Sequence, residues 1–542
     1  MKPSRRLAVL FASLGLALPA TAQQQTMNDA HAASADDAIG TVNFNADCDA
    51  TVRADVDHAL GMMHHMMYTQ ARSEFEAVVK NDPGCAMAQW GVATTLFQPL
   101  WGTSPSPEDL ARGREAIGKA LDTVEDPRER LLIEATAAFF EPETDAVRER
   151  LAGWINGMEV AYQAFPEDLD VASLYALSRL TLGLSASDRK VLHDEAERVL
   201  RRAWETEPTH PGAVHYSIHS TDADGRAGNA TEIVASYGAI APNVPHALHM
   251  PSHIYVRLGD WPRVIEWNRR SADVAVDHVA DGAKSFHYIH ALDYLVYGHL
   301  QRGEDNAARD VWAEARANGP HQANFPGVFH QASIPARLAV EARDWKAAAA
   351  LVPPESETIS WDQFPWPVGV ISFARGLGAV HTGDLETARK AEERLAVLVD
   401  NARFAADQRF STYIEVDRRI LAGWIAKAEG EPEKAIALIR SAGALEATVE
   451  KHPVTPGALL PPYEALGDLL VALDRPLEAL AAYENSDRTW PQRYNTLEGA
   501  ALSAEAAGNR VAAKFWSPRL RDTAPSTERD SSQWEGSLAG GQ

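Results

Sequence analysis

The feature that most constrains this chain is a spacing. Tyr463, Leu466, Gly467, Leu470, Ala479, Tyr483 and Pro491 alternate small and large residues over two helix-length stretches, and Ala513 follows Ala479 by 34 residues. Small residues at such positions let paired helices approach, and large ones fill the groove between them. A unit of this length cannot bury its apolar face alone and must stack on copies of itself. Looser copies run back along the chain: Gly423, Gly430 and Ala435; Gly376, Gly383 and Ala388; Gly303, Ala308, Trp312 and Ala315; Ala71, Phe75 and Pro83. Ala196, Leu200, Ala203 and Pro208 fit the second helix of another, and Ala230 with Pro242 the next. From Thr51 onward apolar residues recur every three to four positions, strand-like alternation is absent, and Ala-rich stretches such as Ala347 to Ala350 favour helix.

These residues resemble the tetratricopeptide repeat (TPR) consensus, closely in the C-terminal unit and loosely in the middle of the chain. The resemblance implies an all-α fold, an α-solenoid of stacked antiparallel helix pairs in which the first helix of each pair lines a concave, ligand-gripping face. The segments Asp82 to Ala93, His215 to His219, His249 to Trp261 and Leu460 to Leu470 further resemble large exported TPR proteins of bacteria. That likeness implies an envelope location and no particular reaction.

The expected organisation is a signal peptide (1–22), a flexible leader (23–47), an N-terminal helical array with a His-rich groove (48–352), a Pro- and aromatic-rich connection (353–367), a C-terminal array (368–517) and a disordered tail (518–542). Lys2, Arg5 and Arg6 precede the apolar stretch Leu7 to Leu18 and the small-x-small triplet Ala20-Thr21-Ala22, the pattern of a cleaved export signal. A periplasmic or secreted protein follows, with no membrane span. Only Cys48 and Cys85 are present. In an oxidising compartment they either form a bridge, worth ~3–4 kcal/mol in the chain-entropy view, or remain two separate thiols. The net charge of −24 argues against nucleic acid as a partner, because such affinity is built largely on Lys and Arg.

Chemistry concentrates where the 19 histidines crowd, between His210 and His299. His215 and His219 lie ten and six residues before Gly225, the end of a first helix, and His249 and His253 lie ten and six before Gly259. Both intervals, His215 to His249 and His219 to His253, are 34 residues. In the next unit Asp293 and Tyr297 hold the same offsets before Gly303, while His246 and His290 lie thirteen before their glycines and His330 thirteen before Arg343. Residues four apart share a helix face, and neighbouring helices pack ~8–10 Å apart. Imidazoles from several helices can therefore converge.

Two readings follow. In one, His215, His219, His246, His249, His253, His290 and Asp293 hold a transition metal ion (Zn, Cu or Fe) or orient its ligands, since imidazole with carboxylate suits these metals better than Ca or Mg. In the other, the same wall, with Tyr216, Tyr255, Tyr297, His330 and Arg337, grips a peptide, a protein or a small molecule. A metal-dependent hydrolase or oxidoreductase is the enzymatic variant of the first reading; HExxH, G-x-S-x-G and phosphate-binding glycine loops are absent. Asp222 reads either as a ligand or as part of a turn. Pro251 should end the helix carrying His249 or begin the one carrying His253, and in the second case the two rings would lose their common face. Gly61 to Met67, with four methionines around His64 and His65, has the donors of a Cu(I) site, but its i,i+4 Met pairs favour core packing.

Overall fold

A computed structural model describes residues 38–529 apart from 101–104, 143, 145, 185–187, 224, 281, 355–357 and 405–407. The expected signal peptide lies outside the described residues. The described chain is built almost entirely of α-helices, with one small hairpin pairing Val279–Ala280 and Ala283–Lys284. Each helix packs on the next, and alternate helices such as Phe286–Gln301, Phe325–Glu341 and Pro365–His381 also pack on one another, the contact pattern of a solenoid. This is a TPR-type fold.

The joint between paired helices recurs. Gly259, Gly303, Gly383, Gly430 and Gly508 have positive φ and sit at turns between helices such as Phe286–Gln301 and Asp305–Ala317, where glycine adopts the left-handed conformation without a Cβ clash. Arg343 and Asp474 occupy the same joint at φ 51° and 56°. The consensus unit is visible in atomic detail at Gly467, where a Cβ would come within 2.6 Å of the Tyr483 ring. That ring fills the groove which the missing side chain leaves.

Three expectations need correction. The leader is packed from residue 38: Ile39, Phe44 and Ala46 are buried, and the Thr41 and Phe44 amides donate to Thr209 O (3.0 Å) and Asp57 Oδ1 (3.1 Å). The expected tail is ordered as far as 529, since helix Arg510–Thr523 continues through Pro518 and Arg529 pairs with Asp305 at 2.7 Å. The apolar core also crosses 353–367 without a break, because Trp366 packs on Phe329 and Phe410. Cys48 and Cys85 form a disulfide across 37 residues. Among the described residues no helix is long and apolar enough to cross a membrane.

The C-terminal repeats curl back onto the middle of the chain. Trp261 Nε1 donates to Gln492 O (2.7 Å), Arg493 Nη1 to Tyr297 Oη (2.7 Å) and the Tyr494 amide to Gln301 Oε1 (3.0 Å). Within the curl, the non-helical stretch before helix Pro462–Ala472 lies over the His-bearing helices. Tyr294 Oη donates to Pro453 O (3.0 Å) and Thr455 O (3.2 Å), and Arg337 Nη2 to Gly457 O (3.3 Å). The face expected to be a concave groove is thus partly filled by the chain itself.

Candidate metal centre

Among the described residues four sets of three His, Cys, Asp or Glu side chains bring ligand atoms within 4.8 Å of one another. Their hydrogen bonds separate them sharply.

Cys48, Asp82 and Cys85 form one set, but both sulfurs are consumed by the disulfide. His64, Asp170 and His210 form the second. Here His210 Nδ1 accepts from the Ala213 amide (3.2 Å), so its Nε2 carries the proton that points at Asp170 Oδ1 (3.2 Å). His64 Nε2 meets the same oxygen at 2.9 Å, with Tyr216 Oη against its Nδ1 at 3.2 Å. Every donor finds an acceptor without an added cation. The Gly61 to Met67 cluster accordingly divides, with Met63, Met66 and Met67 in the core and both histidines in polar networks.

His249, His253 and His290 behave differently. Helices Pro245–His249 and Pro251–Leu258 follow one another directly, because Met250 between them keeps helical dihedrals (φ −55°, ψ −40°). Pro251 removes a hydrogen bond without turning the axis, so His249 Nε2 still meets His253 Nε2 at 3.0 Å. Both rings have their other nitrogen committed. Asn268 Nδ2 donates to Val264 O (2.7 Å), which turns Asn268 Oδ1 toward His249 Nδ1 (2.7 Å); that nitrogen must carry the proton. His253 Nδ1 donates to Asp222 Oδ2 (2.9 Å). Assigned from these partners, the two facing Nε2 atoms of neutral rings are both lone pairs.

Two acceptors at 3.0 Å repel unless a cation lies between or beside them. A proton is disfavoured. Burial, reinforced by neighbouring imidazoles, pushes His249 and His290 well below the ordinary imidazole value. His253 is lowered too, because burial outweighs the pull of Asp222. Asp222 stays ionised, since Lys451, Arg257 and His253 together overcome its own burial. His290 completes the set through a relay: its Nδ1 meets His330 Nε2 at 2.8 Å, and His330 Nδ1 donates to Asp293 Oδ2 at 2.9 Å. With a neutral His330 this leaves the His290 Nε2 lone pair directed away from the relay. Three ligands held tetrahedrally at ~2.0–2.1 Å from zinc stand ~3.3 Å apart, close to the observed separation. Rings oriented by a carboxylate, an amide or a second imidazole on the far nitrogen are the usual outer support of a metal site.

His215, His219 and His246 form the fourth set. His215 Nδ1 donates to the His64 carbonyl (2.7 Å) and its Nε2 faces His219 Nε2 at 3.2 Å. The remaining sequence-derived residues divide by place. Asp293 is a hydrogen-bond partner and not a ligand, for its oxygens accept from His330, Ser333 (2.7 Å) and Arg337 (3.3 Å). Its own anionic form is held by Arg337 and His330 against burial. Tyr216 lies against His64, Tyr297 is buried against Trp261 and Arg493, and Tyr255 packs under Arg263. Tyr294 lies near all three rings, edge-on to His249 and His290, with centroids 4.5, 5.4 and 5.2 Å from His249, His253 and His290.

Beside the centre lies a cavity of about 240 Å³, walled by Phe329, Trp366, Tyr413 and Trp490, with a charged lining of both signs that includes Arg337, Lys451, Asp417 and Glu446. Lys451 reaches Asp222 at 3.3 Å, and burial lowers its ammonium to about 8. Sequence reasoning left out Asn268, 19 residues from the His249 it orients, and Arg257 and Lys451, which reach Asp222 across 35 and 229 residues.

No family profile and no curated protein matches this chain. Among solved structures it is similar to a monomeric IFIT1 mutant with m7Gppp-AAAA (10% identity, TM-score 0.35, covering 81% of this chain and 90% of that one). It is also similar to the APC/C hetero-tetramer Cut9-Hcn1 (12% identity, TM-score 0.32, covering 90% and 91%). A likeness this distant carries nothing about ligand or partner, and the repeat fold stands on the chain's own helix pairs and turns.

Proposed function

We propose that this chain is a metalloprotein on a TPR-type scaffold, in which His249, His253 and His290 bind one transition metal ion through their Nε2 atoms. The observation that carries the reading is the pair of lone pairs facing each other at 3.0 Å in a buried site where both opposite nitrogens are already donating. An all-imidazole set suits Zn, Cu or Fe. Asn268, Asp222 and the His330–Asp293 relay hold the rings.

The ligand reading narrows in the same way. The stretch around Pro453 to Gly457 takes the space an extended peptide would need, which favours a small molecule in the aromatic-walled cavity over a peptide or protein in the groove. The net charge of −24 weighs against a nucleic acid. The cavity touches residues that hold Asp222 and Asp293, which supports a metal-dependent enzyme, hydrolase or oxidoreductase, as the second reading. Export remains part of the proposal and is supported by the disulfide, a bond typical of oxidising compartments.

The test is elemental analysis of untagged protein after dialysis, beside a His249→Ala/His290→Ala variant shown to be folded by circular dichroism. Metal retained by the parent and lost or halved in the variant is expected. A parent without metal, even after reconstitution with Zn(II), Cu(II) and Fe(II), overturns the reading.

A further inference from the structure

The His249 centre has a pattern that the sequence repeats. Its ligands are an i,i+4 pair, ten and six residues before Gly259, joined by His290, thirteen residues before Gly303, the glycine at the next joint between paired helices. One unit earlier the same three offsets are filled again. His215 and His219 stand ten and six before Gly225, and His246 thirteen before Gly259. The structure brings this earlier set together in the same way, with Nε2 atoms of its pair 3.2 Å apart against 3.0 Å in the later one. His215 is also oriented from behind, here by a backbone carbonyl in place of an amide side chain.

We infer that the chain holds a second transition metal ion at His215, His219 and His246, so that two repeat-related ions form a dinuclear centre. The inference deepens the metal reading above and rests on it. The groups adjoin: the His246 and His249 ring centroids are 6.2 Å apart, and those of His219 and His253 are 6.4 Å apart. A fixed rise and rotation per repeat carries one ligand set onto the other, which is why a single TPR-type ladder produces two three-imidazole sites side by side. The series then stops. At the next step the ten-before position is Asp293, the six-before position is Tyr297, and the thirteen-before residue is His330. There the carboxylate takes a hydrogen bond from the imidazole at 2.9 Å, and the unit supports the His249 centre instead of forming a third. Both sets offer imidazole nitrogen alone, so the ions belong to the same class, Zn, Cu or Fe.

Titration of the full-length apoprotein with Co(II), followed by the visible d–d bands, tests this directly. Two equivalents are expected for the parent and one for His219→Gln, whose side chain is only partly buried and whose fold is checked by circular dichroism. One equivalent in the parent, unchanged by His219→Gln, overturns the second site and leaves the first standing; no binding at all overturns both. Electron paramagnetic resonance of the Cu(II)-loaded parent needs no variant. Dipolar broadening with a half-field signal is expected, and the spectrum of isolated Cu(II) at full loading contradicts the pair.

Discussion

Replacing Asn268 by leucine separates a metal site from a merely polar core. Asn268 Oδ1 accepts from His249 Nδ1 at 2.7 Å and thereby fixes the proton on that side of the ring. Leucine has a similar volume and no acceptor. In the metal-free protein the loss of one buried hydrogen bond ordinarily costs ~1–3 kcal/mol when a donor is stranded. Here the donor need not be stranded. The His249 proton can move to Nε2, where the lone pair of His253 waits at 3.0 Å, and the hydrogen bond gained is worth ~0.5–1.5 kcal/mol. The apoprotein should therefore lose no more than ~1 kcal/mol. Metal binding must reverse that shift and has lost its outer support, so affinity should fall ~10–100-fold, or ~1.4–2.7 kcal/mol. The measurement is competition against a chromophoric chelator, with urea unfolding of apo and metal-loaded forms, in the His219→Gln background so that the neighbouring group is silent. An apoprotein destabilised by ~3 kcal/mol with metal affinity unchanged would refute the tautomer argument.

Three further outcomes follow from the same structure. Cys48→Ser/Cys85→Ser opens a loop of 37 residues and should cost ~3–4 kcal/mol in denaturant unfolding; reduction of the parent should match it. Arg493 donates to Glu464 (2.9 Å) and pairs with Glu341 (2.9 Å) in the buried seam between the C-terminal repeats and the middle of the chain, so Arg493→Leu strands two carboxylates and should cost ~3–5 kcal/mol, seen as a drop in Tm. Burial raises Asp57 to about 6 from 3.8. Between those values the folded protein binds the extra proton, so this group's contribution to stability is complete below pH ~4 and is lost as pH rises through 6. Asp57→Asn should thus stabilise the protein at pH 7 and match the parent at pH 3.5; equal Tm differences at both would contradict the shift.

The repeat was readable because its determinants are local. Glycine at a joint and a large ring facing a small residue, as at Gly467 and Tyr483, act within one unit of chain. The phase of His215, His219, His249 and His253 was readable for the same reason. What escaped was set by contacts between distant segments. Lys451 reaches Asp222 across 229 residues, and the stretch that covers the centre meets Tyr294 across 159. Hence the sequence showed a ligand-gripping concave face but not that the curled solenoid buries its own loop there. Asp293 shares its register with the histidines at the ten-before position, yet Ser333 and Arg337 from the following helix claim its oxygens, and spacing alone could not reveal that. At Pro251 the alternatives posed from sequence did not hold: a helix does begin there, yet Met250 keeps helical dihedrals and the His249 and His253 rings still face each other.

The central claim is that His249, His253 and His290 direct their Nε2 atoms onto one metal ion. A crystal structure of the zinc-loaded protein, with anomalous difference density collected on both sides of the zinc edge, addresses it most directly. The account expects a peak ~2.0–2.1 Å from all three Nε2 atoms, with Asn268, Asp222 and His330 still on the opposite nitrogens. A peak elsewhere, or none at full zinc loading with His249 and His253 still 3.0 Å apart, would contradict it.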